Sequence, residues 1–134
     1  MPYDPQRPAP REFDAGPPSW ARKFAVAFRG IACGLRGENS FIVHGLATLA
    51  VIVAAAVLKA DRTEWALLWL CIVGVVTCEL FNSAIERLAR AVDRNFNPDL
   101  RDALDISSGA VLCASLGAAV VGLFILGRLA LAAM

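Results

Sequence analysis

Glu79, Asn82 and Glu86 are the residues best placed by type and spacing to do chemistry. They lie in the run Glu79-Leu-Phe-Asn-Ser-Ala-Ile-Glu86, where spacings of i, i+3 and i+7 turn all three to one helix face. The run follows fourteen residues, Trp65 to Cys78, without a formal charge. A lone carboxylate at membrane depth costs about 2.5–3.5 kcal/mol or more, so an aligned pair of acids and an amide needs a use. Holding a cation or moving a proton where bilayer meets water would supply one.

The elements that must carry these residues follow from patterning. The chain has 134 residues, enough for one domain, and 57% are hydrophobic, above the usual 45–50% or so of soluble proteins. The net charge of +1 argues against a nucleic-acid partner. The four cysteines form no Cys-x-x-Cys pair and read as small buried hydrophobes. Residues 1–18 hold six of the seven prolines and are expected to be a disordered tail, with no secretory signal ahead of the first apolar block. Residues 19–134 form the expected membrane domain.

Ser19 is positioned to cap a helix over 19–36. Trp20, Phe24, Ala27, Phe28, Ile31 and Leu35 recur at three- and four-residue steps, with Arg22, Lys23 and Arg29 off the stripe. That is a basic amphipathic surface helix. Three spans are expected over 40–60, 64–90 and 104–128, each about the length that crosses a bilayer. Trp65 and Trp69 are expected to anchor the second span at the interface. Between the second and third lies a polar connection, Arg87 to Asp105, with a turn at Asn97-Pro98-Asp99. Ala110, Ala114, Ala118 and Gly122 form a small-residue stripe, read as a helix-packing face. The fold class is thus an all-α membrane protein, one surface helix plus three transmembrane helices in a bundle.

Ten of the thirteen Lys and Arg residues lie before the first span or in the second connection. The positive-inside rule puts both on the cytoplasmic side. Glu38, Glu79, Glu86 and Asp105 then converge near one membrane mouth, where ATP and Mg²⁺ are available. Carboxylates from separate helices suit a hard cation carrying phosphates, and a spare carboxylate suits removal of a hydroxyl proton. No Walker-type or kinase Gly-rich loop is present. The residues alone also leave a small ion-coupled transporter and a membrane scaffold open. His44, on an apolar face, reads as a packed, hydrogen-bonded histidine rather than a ligand.

Four features in order carry a resemblance. They are the basic amphipathic helix, Glu38-Asn39 with His44, Glu79-x-x-Asn-Ser-Ala-x-Glu86, and Asp105-x-x-x-Gly-Ala-Val-Leu. Over about residues 20 to 127 the chain resembles the small prokaryotic diacylglycerol kinase and undecaprenol kinase family. The resemblance implies a homotrimer in the bacterial inner membrane, with sites at subunit interfaces and N-terminus and active site cytoplasmic. It implies transfer of the γ-phosphate of MgATP to a lipid hydroxyl, with undecaprenol favoured over diacylglycerol. Glu79 then matches the general base. Glu38 and Glu86 match the ligands of Mg²⁺ and the ATP phosphates. Asn82, Asn97, Arg101 and Asp105 fall to the nucleotide site. The family lysine before Asp105 is Leu104 here, the aspartate one turn after Glu86 is Arg90, and a Glu-Tyr-His stretch is Asn95-Phe96-Asn97. Arg101 is the favoured substitute for the lysine charge, with Arg90 and Arg94 behind it. The alternative function is a catalytically weakened homologue acting as a membrane interaction protein.

Overall fold

A computed structural model describes residues 19–35, 39–92 and 97–134. The expected tail over 1–18 lies outside the described residues, as do positions 36–38 and 93–96. Four α-helices follow in order: α1 Trp20–Gly34, α2 Asn39–Val57, α3 Arg62–Val92 and α4 Pro98–Ala132. Among the described residues all regular structure is helical. The described residues divide into two units, one ending at Cys33 and the other beginning at Gly34.

In the first unit α1 starts where its cap places it. The Ser19 hydroxyl accepts from the Arg22 amide at 3.3 Å, and the Ser19 carbonyl accepts from the Lys23 amide at 3.1 Å. The Trp20 and Phe24 rings lie one turn apart with centroids 6.4 Å apart, and the Lys23 ammonium sits 4.6 Å from the Trp20 centroid. A cation over an indole keeps the charge beside an aromatic surface. Trp20, Phe24 and Phe28 are all exposed.

The second unit holds α2, α3 and α4. Of these, α3 and α4 are long and apolar enough to cross a membrane, whereas the apolar stretch of α2, Phe41–Val57, is shorter. Both long helices outrun the expected spans. Arg87 to Val92 stays helical, and α4 begins at Pro98. Asn97 caps α4, its side-chain oxygen accepting from the Asp99 and Leu100 amides at 3.0 and 3.3 Å, with proline in the first turn. Asp105 therefore lies two turns inside α4 and does not cap the third span.

Helix α2 stops early for a local reason. The Ala60 amide donates to the Ala55 carbonyl (2.9 Å) and the Lys59 amide to the Ala56 carbonyl (3.2 Å), and Lys59 adopts φ 58°. This is a Schellman closure, with a lysine where glycine is usual. A left-handed L-residue costs roughly 1–2 kcal/mol, partly offset by glycine's greater freedom in the unfolded chain. Lys59→Gly is therefore expected to stabilise the bundle by about 0.5–1 kcal/mol. The check is its unfolding midpoint in mixed micelles, and a midpoint at or below the parent's would contradict the assignment.

The next turn opens α3. The Asp61 carboxylate accepts from the Glu64 amide at 2.9 Å, and the Glu64 carboxylate accepts from the Asp61 amide at 2.8 Å. This reciprocal capping box satisfies donors that a helix start leaves orphaned. Glu64 is buried and also receives the Arg128 guanidinium from the far end of α4. Beside this clasp lies the apolar core, Ala55, Leu68 and Ile125, with Trp65, Val121 and Leu129 packed on it. Trp65 thus packs inward, while Trp69 is the exposed indole of the pair.

Candidate active site

The buried face of α3 runs through Leu68, Val75, Glu79 and Ser83. Their spacing of seven, four and four residues is one helical stripe. Glu79 therefore belongs to the packing face of a membrane-type helix and is only 4% exposed. A carboxylate taken out of water needs a donor. His44 of α2 supplies it, with Nε2 at 2.7 Å from Glu79 Oε1. The expectation of a packed, hydrogen-bonded His44 holds, and its partner is the candidate base itself.

One turn further, α3 meets α4 through polar groups. The Asn82 amide nitrogen donates to Glu86 Oε1 at 3.0 Å, and Asn82 Oδ1 accepts from the Ser107 hydroxyl at 2.6 Å. Ser107 is buried and also lies 2.9 Å from the Leu104 carbonyl. Ser108 lies 3.5 Å from the same Asn82 oxygen. Glu86 is partly exposed and pairs with Arg90 at 3.4 Å. Along α3 the site grades from a buried acid on a histidine to a half-wet acid held by an amide and a guanidinium.

The other expected residues stand apart from this row. Arg101 and Asp105 form an i, i+4 pair at 3.8 Å, and both are exposed. The Asn97 oxygen is engaged in its cap. Glu38 lies outside the described residues, and so does Arg94. Among the described residues no three His, Cys, Asp or Glu side chains gather as a metal cluster. Glu86 still offers the hard oxygen donors that Mg²⁺ prefers, in a half-exposed setting that a cation and its waters can reach. The residue types at this position therefore fit the ion.

Below the site, α2, α3 and α4 line a half-open apolar cavity of about 430 Å³. His44, Val51, Leu68, Val75, Ser115 and Gly122 are among its lining residues. Ser115 Oγ is buried and unpartnered there. Ala118 and Gly122 of the small-residue stripe line this space, and a Cβ at Gly122 would meet nothing within 4 Å, so here the stripe borders a pocket and not a close helix contact.

The family described as prokaryotic diacylglycerol kinase matches residues 25–126. The chain belongs to the prokaryotic diacylglycerol kinase family. Among its relatives, the undecaprenol kinase of Bacillus subtilis (strain 168) is 31% identical over 104 residues, 78% of this chain and 85% of that protein. A diacylglycerol kinase of Synechocystis sp. is 30% identical over 106 residues, 78% of this chain and 61% of that protein. One from Helicobacter pylori (strain J99) is 37% identical over 84 residues, 62% of this chain and 65% of that protein. No solved structure matches the chain significantly. As a member of the diacylglycerol kinase family this chain is a kinase, a transferase carried on membrane-type helices.

One residue and one contact of the site escaped sequence reasoning. Ser107 had a signal, since a hydroxyl on an otherwise apolar helix needs a partner, but nothing local names Asn82. The His44–Glu79 pairing joins residues 35 apart on different helices, and no periodicity reports such a contact.

Proposed function

We propose that this kinase transfers the γ-phosphate of MgATP to the hydroxyl of a membrane lipid, with undecaprenol ahead of diacylglycerol. The observation that carries the reading is Glu79, a carboxylate 4% exposed on a membrane-type helix of a diacylglycerol kinase family member. A base there meets a hydroxyl that arrives through the bilayer. Asn82 and Glu86, further along α3, face the side where a nucleotide arrives from water. In this reading α1 lies on the cytoplasmic surface, α2, α3 and α4 are the three spans, and three copies share their sites in the inner membrane.

Glu38 and Glu86 would hold Mg²⁺, which when bound neutralises charge on the ATP phosphates. The chain's own residues do the rest. Glu79 accepts the lipid hydroxyl proton, the hydroxyl oxygen forms the new P–O bond, and the bond from the γ-phosphorus to the ADP oxygen breaks. Asn82 holds Glu86 through its amide nitrogen, and Ser107 holds Asn82. The undecaprenol preference rests on Glu38-Asn39 with His44 and on the Bacillus subtilis relative. Radiolabelled γ-phosphate transfer by purified protein to a lipid panel tests the reading. Labelled undecaprenyl phosphate is the expected product, and no labelled lipid from any acceptor would overturn it.

One observation favours a second reading, a weakened homologue acting as a membrane interaction protein. The family lysine position is Leu104, and Arg101 is paired with Asp105 at the surface. If Arg101 takes the lysine's place, Arg101→Ala should raise the ATP KM far more than Arg94→Ala does. Charge-assisted contacts to phosphate are about twice as strong as neutral ones. Leu104→Lys in the Arg101→Ala background should recover part of the loss. An inactive parent switched on by Leu104→Lys alone would establish the second reading.

A further inference from the structure

We propose that His44 is a positioning residue for Glu79, which holds one carboxylate oxygen so that the other faces the lipid hydroxyl. The inference rests on the lipid-kinase reading and adds a residue from another helix to it. The Nε2 to Oε1 distance of 2.7 Å is that of a charge-assisted hydrogen bond. His44 is a polar partner of Glu79 from another helix, and Glu79 is otherwise removed from solvent.

The second observation is the cavity. His44 is among its lining residues, so the imidazole that bonds Glu79 also borders the apolar space. A ring bonded to Glu79 at Nε2 cannot swing into that space without losing the bond. An unheld glutamate has free χ angles, and a base misplaced by about 1 Å can cost roughly 10²-fold in rate. The bond also sets the ring. Donation toward Glu79 requires a proton on Nε2. Packing alone would not require that proton.

This chain contains a single histidine, which makes the test unambiguous. Untagged protein labelled with ¹⁵N-histidine in lipid nanodiscs gives imidazole signals from His44 alone. The expected spectrum shows Nε2–H as the protonated nitrogen, with shifts that move when Glu79 becomes Gln. In parallel, His44→Leu removes the donor and His44→Gln keeps an N–H donor. We expect kcat to fall about 10²-fold in His44→Leu with the ATP KM unchanged, and His44→Gln to recover about tenfold of that loss. Parental kcat in His44→Leu would overturn the proposal. So would equal losses in both variants, or imidazole shifts indifferent to Glu79→Gln. A parent that labels no lipid would count against the lipid-kinase reading instead, and the imidazole spectrum would still decide whether His44 holds Glu79.

Discussion

Glu79→Gln is expected to reduce phosphoryl transfer by about 10²–10⁴-fold, the usual worth of general-base assistance. The substitution is nearly isosteric. A glutamine oxygen still accepts from His44 Nε2 across the 2.7 Å contact, so the α2–α3 junction survives. What is lost is the capacity to take a proton. Nucleotide binding should persist, because Asn82 and Glu86 form their contact one turn away without Glu79. Single-turnover transfer from labelled ATP, alongside equilibrium binding of a fluorescent nucleotide, separates the two effects. Equal transfer in mutant and parent would take the base role from Glu79. Loss of nucleotide binding together with transfer would make it part of the nucleotide site.

The second large effect is expected at the metal pair. Glu38→Ala and Glu86→Ala should each lower transfer by on the order of 10²-fold or more, the scale seen when one preorganised electrostatic partner is removed. The double variant should be little worse than either single one, because groups that act as one unit are non-additive. Mg²⁺ titrations of ATP binding should shift to higher concentration in all three. Removing Glu86 also frees the Asn82 amide nitrogen and Arg90. Ser107→Ala, which loosens Asn82 with Glu86 intact, is therefore the control for simple loss of a polar junction. Parental Mg²⁺ titrations in both single variants would refute the ligand assignment.

Much of this architecture was legible in the residues. The α1 stripe, the Ser19 cap and the apolar runs of α3 and α4 follow from local rules, and these elements form where those rules put them. The helix ends were less clear. Asp99, Arg101 and Asp102 looked like a loop because they are polar, yet Asn97 followed by proline is a helix-start signal, and an exposed turn outside the bilayer has no need to be apolar. The join between the first two expected spans concealed a capping box written plainly as Asp61-x-x-Glu64. Its partner Arg128, 64 residues from Glu64, was not legible. Within the site, local spacing identified the Asn82–Glu86 contact. It also suggested that Glu79 shares their face, whereas Glu79 turns toward His44 and the buried stripe. Which way a carboxylate turns depends on which neighbour offers a donor, and only the packed helices decide that.

The clasp of Glu64 and Arg128 lies at the far end of α3 from Glu86, and the Ala55, Leu68 and Ile125 core lies beside it. The three helices are thus riveted at one end, while at the other they touch through hydrogen-bonded side chains around Glu79 and Asn82. Such a bundle is built like tweezers. Parting the Asn82 end exchanges hydrogen bonds between side chains, whereas parting the Glu64 end breaks the Ala55, Leu68 and Ile125 core. Amide exchange should accordingly be slowest near Leu68 and Ile125 and faster around Asn82 and Ser107. A long, membrane-embedded acceptor could then enter and leave sideways while the protein stays folded.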